Sequence, residues 1–139
     1  MREIIFKAKR IDNGEWIEGH YTECRGETFI GIDTSSMFEI FCPPVIRWFK
    51  VSSETLCQFT GLCDKNGKRI WENDIMMAHL DESYPENATY VAVEWNFSGW
   101  VTQEAGSTDR EYLDEFDLEH FEVVGNIFDN KELLQEEHK

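Results

Sequence analysis

The sequence has no long apolar run and no pair of closely spaced cysteines. No apolar stretch follows the charges of the first residues, and no later run reaches the ~20 residues that span a bilayer. We therefore expect a cytoplasmic protein. The four cysteines, Cys24, Cys42, Cys57 and Cys63, lie 18, 15 and 6 positions apart. Because zinc ligands usually come in close pairs, this spacing favours reduced thiols over a metal site, and we expect no cofactor.

Positive charge is scarce in the second half of the chain. Residues 1–69 carry ten Lys and Arg residues and ten Asp and Glu residues, whereas residues 70–139 carry three against eighteen. The whole formal net charge of −15 therefore arises after residue 69. Such a surface repels phosphate groups, so direct nucleic-acid binding is disfavoured. An acidic surface suits a basic protein partner, or it simply keeps the protein soluble.

The acidic residues are most closely spaced between positions 109 and 122. Charge at this density predicts a solvated face, and we interpret that face as the candidate interaction surface. It consists of Asp109, Glu111, Asp114, Glu115, Asp117, Glu119 and Glu122.

Apolar and aromatic residues are abundant enough for a packed core. They make up 41% and 14% of the chain, which is too much for a disordered protein. In the opening "EIIFKAKR", Ile4, Phe6 and Ala8 fall on one face of a strand, and Asn13-Gly14 favours a type I′ hairpin turn. An antiparallel meander follows. Across the chain we predict strands near 2–11, 15–22, 27–32, 45–51, 75–80, 89–96, 99–103 and 121–128.

Helix is expected only in the last third. "STDREYLDEFDLEHF" keeps helical spacing at Tyr112, Leu113 and Phe116 behind a cap candidate at Ser107 or Thr108, and Asn130 can cap a final turn, "KELLQEEHK". In "TYVAVEW", alternation puts Val91, Val93 and Trp95 on the apolar face. We expect most of the five tryptophans in the core, with one or two able to line a peptide groove.

The segment "QFTGLCDKNGKRIWENDIM", residues 58–76, is dense in turn-forming residues. A second Asn-Gly pair lies at Asn66-Gly67, and Glu72-Asn73-Asp74 predicts a further turn. We interpret the segment as a structural corner of a β domain. The enzymatic alternative is a hydrolase that uses Asp64, Glu72 and Asp74, with His79 nearby in sequence. Carboxylates in turns more often bind backbone N–H groups, so we predict no catalytic residue.

Three blocks of the sequence resemble the YopX family of phage and prophage proteins. They are "REIIFKAKR", then "ETLCQFTGLCDKNGKRIWENDIM", and finally "VEWN" followed by "FEVVGNIFDNKELL". The chain departs from the family pattern at Asn73, where the family has glycine, and at Lys131, where it has proline. Asn tolerates positive φ, and loss of the proline breaks nothing. The matching motif positions are Thr60, Gly61, Leu62, Asp64, Asn66, Gly67, Trp71, Asp74, Ile75, Gly125 and Asn126.

The resemblance implies architecture more than activity. It implies a β-rich fold with an irregular N-terminal meander, which we assign to residues 1–54. Residues 55–139 would form an SH3-like barrel with a short C-terminal helix. It also implies self-association, and it implies no established reaction, cofactor or binding residue. We therefore expect a phage accessory protein that acts through contacts with itself or with a phage or host protein. The alternative is an acidic decoy that imitates DNA, which requires carboxylates spaced like phosphates.

Overall fold

The computed structural model describes residues 4–33, 46–79, 88–104, 107 and 109–134. The chain divides into two compact units, Met1–Phe59 and Thr60–Lys139. The predicted boundary after residue 54 stays a prediction. Within the described residues the strands form antiparallel sheets with one α-helix and no closed barrel, so the prediction of a mainly β protein is confirmed.

The first unit is an antiparallel meander. Its sheet has the order β4-β3-β2-β1, and the start of β5 adds beside β1, where Gln58 lies opposite Phe6. An isolated bridge joins Arg10 to Val51, at the end of β4. A 3-10 turn at Ser53–Thr55 precedes β5. The strands are β1 (Phe6–Lys9), β2 (Trp16–Cys24), β3 (Glu27–Asp33), β4 (Ile46–Val51) and β5 (Cys57–Cys63).

The two hairpin turns of this meander differ in type. At Arg25-Gly26 both residues have positive φ, 55° and 80°, as a type I′ turn requires. The predicted type I′ turn at Asn13-Gly14 is wrong, because Gly14 alone has positive φ. The Asn13 side chain accepts a hydrogen bond from the Glu15 N–H at 2.9 Å, which holds a wider loop between Arg10 and Glu15.

The core of the first unit is small. Ala8, Ile30 and Val51 are buried, and Phe6 packs against them. Ile4, predicted on the same face as Phe6 and Ala8, is instead 57% exposed, because it precedes the start of β1.

The second unit contains a five-stranded antiparallel sheet of order β10-β9-β8-β7-β11. The remainder of β5 pairs with β6, and the register of β11 against β7 shifts between Val123 and Gly125, which marks a β-bulge. A 3-10 turn at Lys131–Leu134 ends the described chain. The elements are β6 (Arg69–Trp71), β7 (Asp74–Ala78), β8 (Thr89–Asn96), β9 (Gly99–Glu104), β10 (Arg110–Tyr112), α1 (Glu115–His120) and β11 (Glu122–Asn126).

Several predicted elements in this unit need correction. Strands β5, β6 and β10 were not predicted. Helix α1 begins after Asp114, not near Ser107, because the Asp114 side chain caps it. The predicted C-terminal helix is a 3-10 turn as far as Leu134, and its last five residues lie outside the described part. The Asn130 side chain accepts a hydrogen bond from the Asn126 N–H instead of capping that turn.

The core of the second unit follows the predicted alternation along β8. Val91 and Val93 are buried, together with Ile70, Met76 and Phe121. Cys24, Cys57 and Cys63 form no disulfide with one another, and Cys42 lies outside the described residues. Within the described ranges, no helix is both long enough and apolar enough to cross a membrane.

Candidate functional site

The family-motif residues of β5 are held by local hydrogen bonds. The Thr60 hydroxyl donates to the Ile70 carbonyl at 2.7 Å and accepts from the Leu62 N–H at 3.1 Å. Gly61 has a φ of 89°, a conformation that favours glycine. Thr60 therefore joins β5 to β6 beside a backbone bend, and Leu62 packs against the core.

Asp64 uses its whole carboxylate to organise the turn that follows β5. One oxygen accepts the N–H groups of Asn66 and Lys68 at 2.8 and 2.9 Å. The other accepts the Val123 N–H at 2.8 Å. The side chain is buried, so it fixes the turn and ties it to β11. Only Gly67 has positive φ here, so the Asn66-Gly67 turn is not type I′.

Asp74 is also buried and faces the backbone. Its carboxylate accepts the Trp71 N–H at 2.7 Å across the tight turn that joins β6 to β7. Trp71 and Ile75 are buried beside it, and Asn73 has a φ of 71°. Asn73 thus adopts the conformation expected where the family has glycine.

The residues of the enzymatic alternative do not form a metal centre. Asp64 and Asp74 bind backbone N–H groups, Glu72 is half-buried, and His79 is exposed. Across the residues that the structure describes, no group of three or more His, Cys, Asp or Glu side chains is arranged to hold a metal ion.

The Gly125-Asn126 pair shapes the end of β11. The Asn126 side-chain oxygen accepts the N–H groups of Phe128 and Asp129, both at 2.9 Å. Asn130 then folds back over Gly125, where an added Cβ would lie 2.8 Å from the Asn130 Cβ. A side chain at position 125 would therefore displace Asn130, so this motif pair also has a structural role.

The predicted acidic residues divide between a cleft and the open surface. A cleft of about 280 Å³ lies among β8, β9, β10 and α1. Glu115 and Glu119 are exposed on α1, outside its lining, and Glu122 lies 3.8 Å from the Lys65 ammonium. Five acidic residues line this acidic cleft: Glu104, Asp109, Glu111, Asp114 and Asp117.

Two of these acids form the N-terminal cap of α1. The Asp114 carboxylate accepts the Asp117 N–H at 3.1 Å, and the Asp117 carboxylate accepts the Asp114 N–H at 3.2 Å. Partial burial raises the pKa of Asp117, and the negative charges of Asp114 and Glu111 raise it further against the lowering effect of the backbone hydrogen bond.

Sequence reasoning missed a group of aromatic side chains around the β8–β9 hairpin. Trp95 is 55% exposed, Tyr112 is 57% exposed, and Phe97, at the tip, is fully exposed. Glu94 and Arg110 edge the group and form a salt bridge at 3.2 Å. We call these five residues the aromatic hairpin surface, although they lie on both faces of the hairpin: Tyr112 shares its face with Glu94, and Trp95 lies on the other.

The expectation that most tryptophans lie in the core holds only in part, since Trp100 packs against the core and Trp16 is half-buried. Trp71 is buried, whereas Trp48 and Trp95 are about half exposed. One signal was present in the sequence: Phe97 lies in the short "NFSG" connection between two strands. A side chain at the tip of so short a hairpin has little of its own hairpin to cover it.

Comparison with known proteins gives a family and a fold. A family model described as YopX protein matches residues 5–135. The chain is also similar to the crystal structure of protein EF1440 from Enterococcus faecalis, with 21% sequence identity and a TM-score of 0.56. That similarity covers 97% of this chain and 100% of the other. No curated protein matches significantly.

Proposed function

The chain belongs to the YopX family, and on that premise we propose that it acts by binding another protein and not by catalysing a reaction. The observation that carries this proposal is the aromatic hairpin surface. Single exposed apolar residues are ordinary, but a group of large aromatic side chains around one hairpin is typical of a protein-binding site. In biological terms we propose a cytoplasmic accessory protein of a phage or prophage that needs no cofactor.

The composition of the surface supports this function. Trp, Tyr and Arg are the residue types that most often dominate the binding energy of protein interfaces. Trp95, Phe97 and Arg110 line one shallow pocket at the hairpin, and Tyr112 lies on the face of the sheet opposite Trp95. Because Phe97 is fully exposed, its side chain does not stabilise the fold by burial, and its apolar area is available to a partner.

The motif carboxylates support the absence of catalysis. A general acid or base must reach the substrate, whereas the carboxylates of Asp64 and Asp74 are buried against backbone N–H groups. A hydrolase that uses the Asp64, Glu72 and Asp74 region is therefore the third-ranked function.

Photo-crosslinking tests the proposal directly. Benzoylphenylalanine placed at position 97 should form an adduct with a partner in lysate from cells that carry the phage, and mass spectrometry should identify it. The matched control carries the same group at position 11, where Ile11 is exposed to a similar degree as Trp95 but lies in the first unit. Adducts at neither position, or equal adducts at both, would contradict the proposal. An adduct between two copies would support self-association as the mode of contact.

A second candidate function is the acidic decoy. The acidic cleft favours it, since five carboxylates lie close together there. It ranks below partner binding because these residues surround a cleft, whereas a DNA mimic requires a row of charges along an extended face. Affinity capture at low and high salt separates the two. The decoy is favoured if a host DNA-binding protein is recovered at low salt and released at high salt. Neutralising the 109–122 acids should then abolish its recovery.

We also propose that the second unit has an SH3-like arrangement. Its five antiparallel strands and the hairpin of β5 and β6 support this proposal, because a small barrel can be built from such short antiparallel strands. An experimental structure in which β10 or β11 closes onto β5 and β6 would support it, and an open sheet would not.

A further inference from the structure

The aromatic hairpin surface is ordered before it meets a partner. The Trp95 ring lies edge-on against Trp100, with ring centroids 4.9 Å apart. The Tyr112 hydroxyl lies 2.6 Å from the Ser98 hydroxyl, and the Tyr112 ring lies over Gly99. Because the rings of Trp95 and Tyr112 are already held by these contacts, they would lose little conformational freedom when a partner binds.

The charge around this surface selects the partner. Residues 60–139 carry six Lys and Arg residues against nineteen Asp and Glu residues, a net charge of −13, whereas residues 1–59 have a net charge of −2. Arg110 is the cation of the surface, and Glu94 already neutralises it. Asp109 and Glu111 flank Arg110 in sequence and are exposed. An acidic partner would be repelled, and a basic one would be attracted.

Aromatic ring faces and acidic surroundings both favour a cationic ligand. The faces of Trp and Tyr rings attract Arg and Lys side chains, and nearby carboxylates strengthen that preference. Resting on the proposed function, we propose that the aromatic hairpin surface binds a basic, partly apolar segment of a partner protein. An apolar side chain of that segment packs against Phe97 and Trp95, and its Arg or Lys side chains lie toward the acidic surroundings.

Three fluorescent peptides of equal length test this inference by anisotropy with the full-length protein. The first alternates arginine with leucine, the second arginine with serine, and the third glutamate with leucine. We expect the Arg-Leu peptide to bind about tenfold more tightly than the Arg-Ser peptide, because only the former fills the apolar part of the surface. We expect no binding of the Glu-Leu peptide. Higher salt should weaken the Arg-Leu complex without abolishing it.

Variants assign the binding to this surface. Phe97→Ser and Trp95→Ser should each weaken the Arg-Leu complex by about tenfold. The Phe97 variant keeps the fold intact, because this side chain is fully exposed. Arg110→Gln should strengthen binding about threefold, since it releases the Glu94 carboxylate for a cation of the ligand. The matched control, Ile11→Ser, should bind like the wild type.

The outcomes separate this inference from the proposed function. Equal binding of the Arg-Leu and Arg-Ser peptides, or no effect of Phe97→Ser, would overturn the inference, because the contact would then be non-specific attraction to an acidic protein. A specific adduct at position 97 with a second copy, or with a partner that lacks a basic segment, would overturn the inference and leave the proposed function standing. If position 97 forms no specific adduct at all, both the inference and the proposed function are contradicted.

Discussion

Two sets of residues in the second unit use similar side chains in different ways. In the family-motif set, the carboxylates of Asp64 and Asp74 are buried against backbone N–H groups, and Trp71 is buried. In the hairpin and cleft set, Asp117 lines an open cleft and Trp95 is half exposed. The first set therefore stabilises the fold, while the second presents charge and aromatic area to the solvent.

This difference teaches that a dense motif of polar residues need not mark chemistry. Asp64 alone accepts three backbone hydrogen bonds, two from its own turn and one from β11. By contrast, Phe97 at the tip of the hairpin lies outside the blocks that resemble the family, yet it presents apolar area that a partner would need. Substitutions in the family-motif set should therefore mainly reduce stability, whereas substitutions at the exposed hairpin aromatics should mainly reduce binding.

The largest predicted effect is loss of the Asp64 carboxylate. Asp64→Ala leaves three N–H groups of the turn and β11 without their acceptor, and we expect a loss of about 4 kcal/mol in the free energy of unfolding. Urea denaturation followed by fluorescence measures it. Asp64→Asn should lose about 2 kcal/mol, because one acceptor oxygen remains.

Phe97→Ser supplies the contrast from the hairpin set. It should change the free energy of unfolding by less than about 0.5 kcal/mol, since Phe97 is fully exposed. A stability loss for Phe97→Ser as large as that for Asp64→Ala would erase the distinction between the two sets.

The next effect tests the end of β11. Gly125→Ala puts a Cβ against Asn130, whose side-chain oxygen accepts the Asn126 N–H. We expect a loss of about 2 kcal/mol from the steric shift and the weakened hydrogen bond. Thermal unfolding measures the change. Gly14→Ala cannot serve as the control, because the positive φ of Gly14 would itself strain an alanine. Gly99→Ala is the better control, since the added Cβ would meet only the Tyr112 ring, at 3.4 Å. Equal losses for both variants would count against a specific role of Gly125.

The sequence predicted those strands whose pattern is local. Strands β2 and β3 lie between turn-forming residues, and β8 alternates apolar and polar residues, so local signals predicted all three. Strands β5 and β6 were missed because glycine and asparagine in the segment suggested turns alone. Strand β10 has three exposed residues and forms only by pairing with β9, which is a long-range property that no local pattern reveals.

The candidate site was predictable only in part. The acidic run was visible, but the cleft depends on α1, whose start at Asp114 brings Asp117 toward β9 and β10. Alternation correctly put Trp95 on the same face as Val91 and Val93. It could not show that the core ends before Trp95, because periodicity gives the face of a strand and not how far that face is covered.

A smaller effect tests the backbone at Asn73. This residue has a φ of 71°, which costs most side chains about 1 kcal/mol more than it costs glycine. We therefore expect Asn73→Ala to be about 1 kcal/mol less stable than Asn73→Gly, the residue of the family pattern. Chemical denaturation of the two variants side by side measures the difference. Equal stability would mean that the turn relaxes to a negative φ.

The smallest effect concerns the acidic cleft and its dependence on pH. Because the pKa of Asp117 is raised above its ordinary value of 3.8, the folded protein holds this proton more tightly than the unfolded chain does. Its contribution to stability is therefore full below pH 3.8 and is lost as the pH rises through the folded value.

Replacing Asp117 by Asn removes this titration while keeping an oxygen that can accept the Asp114 N–H. Between acidic and neutral pH, the wild type should therefore lose stability relative to Asp117→Asn, by only about 0.3 kcal/mol because solvent screens a half-exposed carboxylate. Urea denaturation across that range gives the difference, and NMR titration of the carboxyl carbons gives the pKa directly. The matched control is Glu119→Gln, since Glu119 is an exposed acid on the same helix. The opposite result, a wild type that gains stability over Asp117→Asn as the pH rises, would mean that the charged form of Asp117 is favoured in the folded protein. Burial and the acidic neighbours would then not control this carboxylate, and the cleft would not be the acidic environment described.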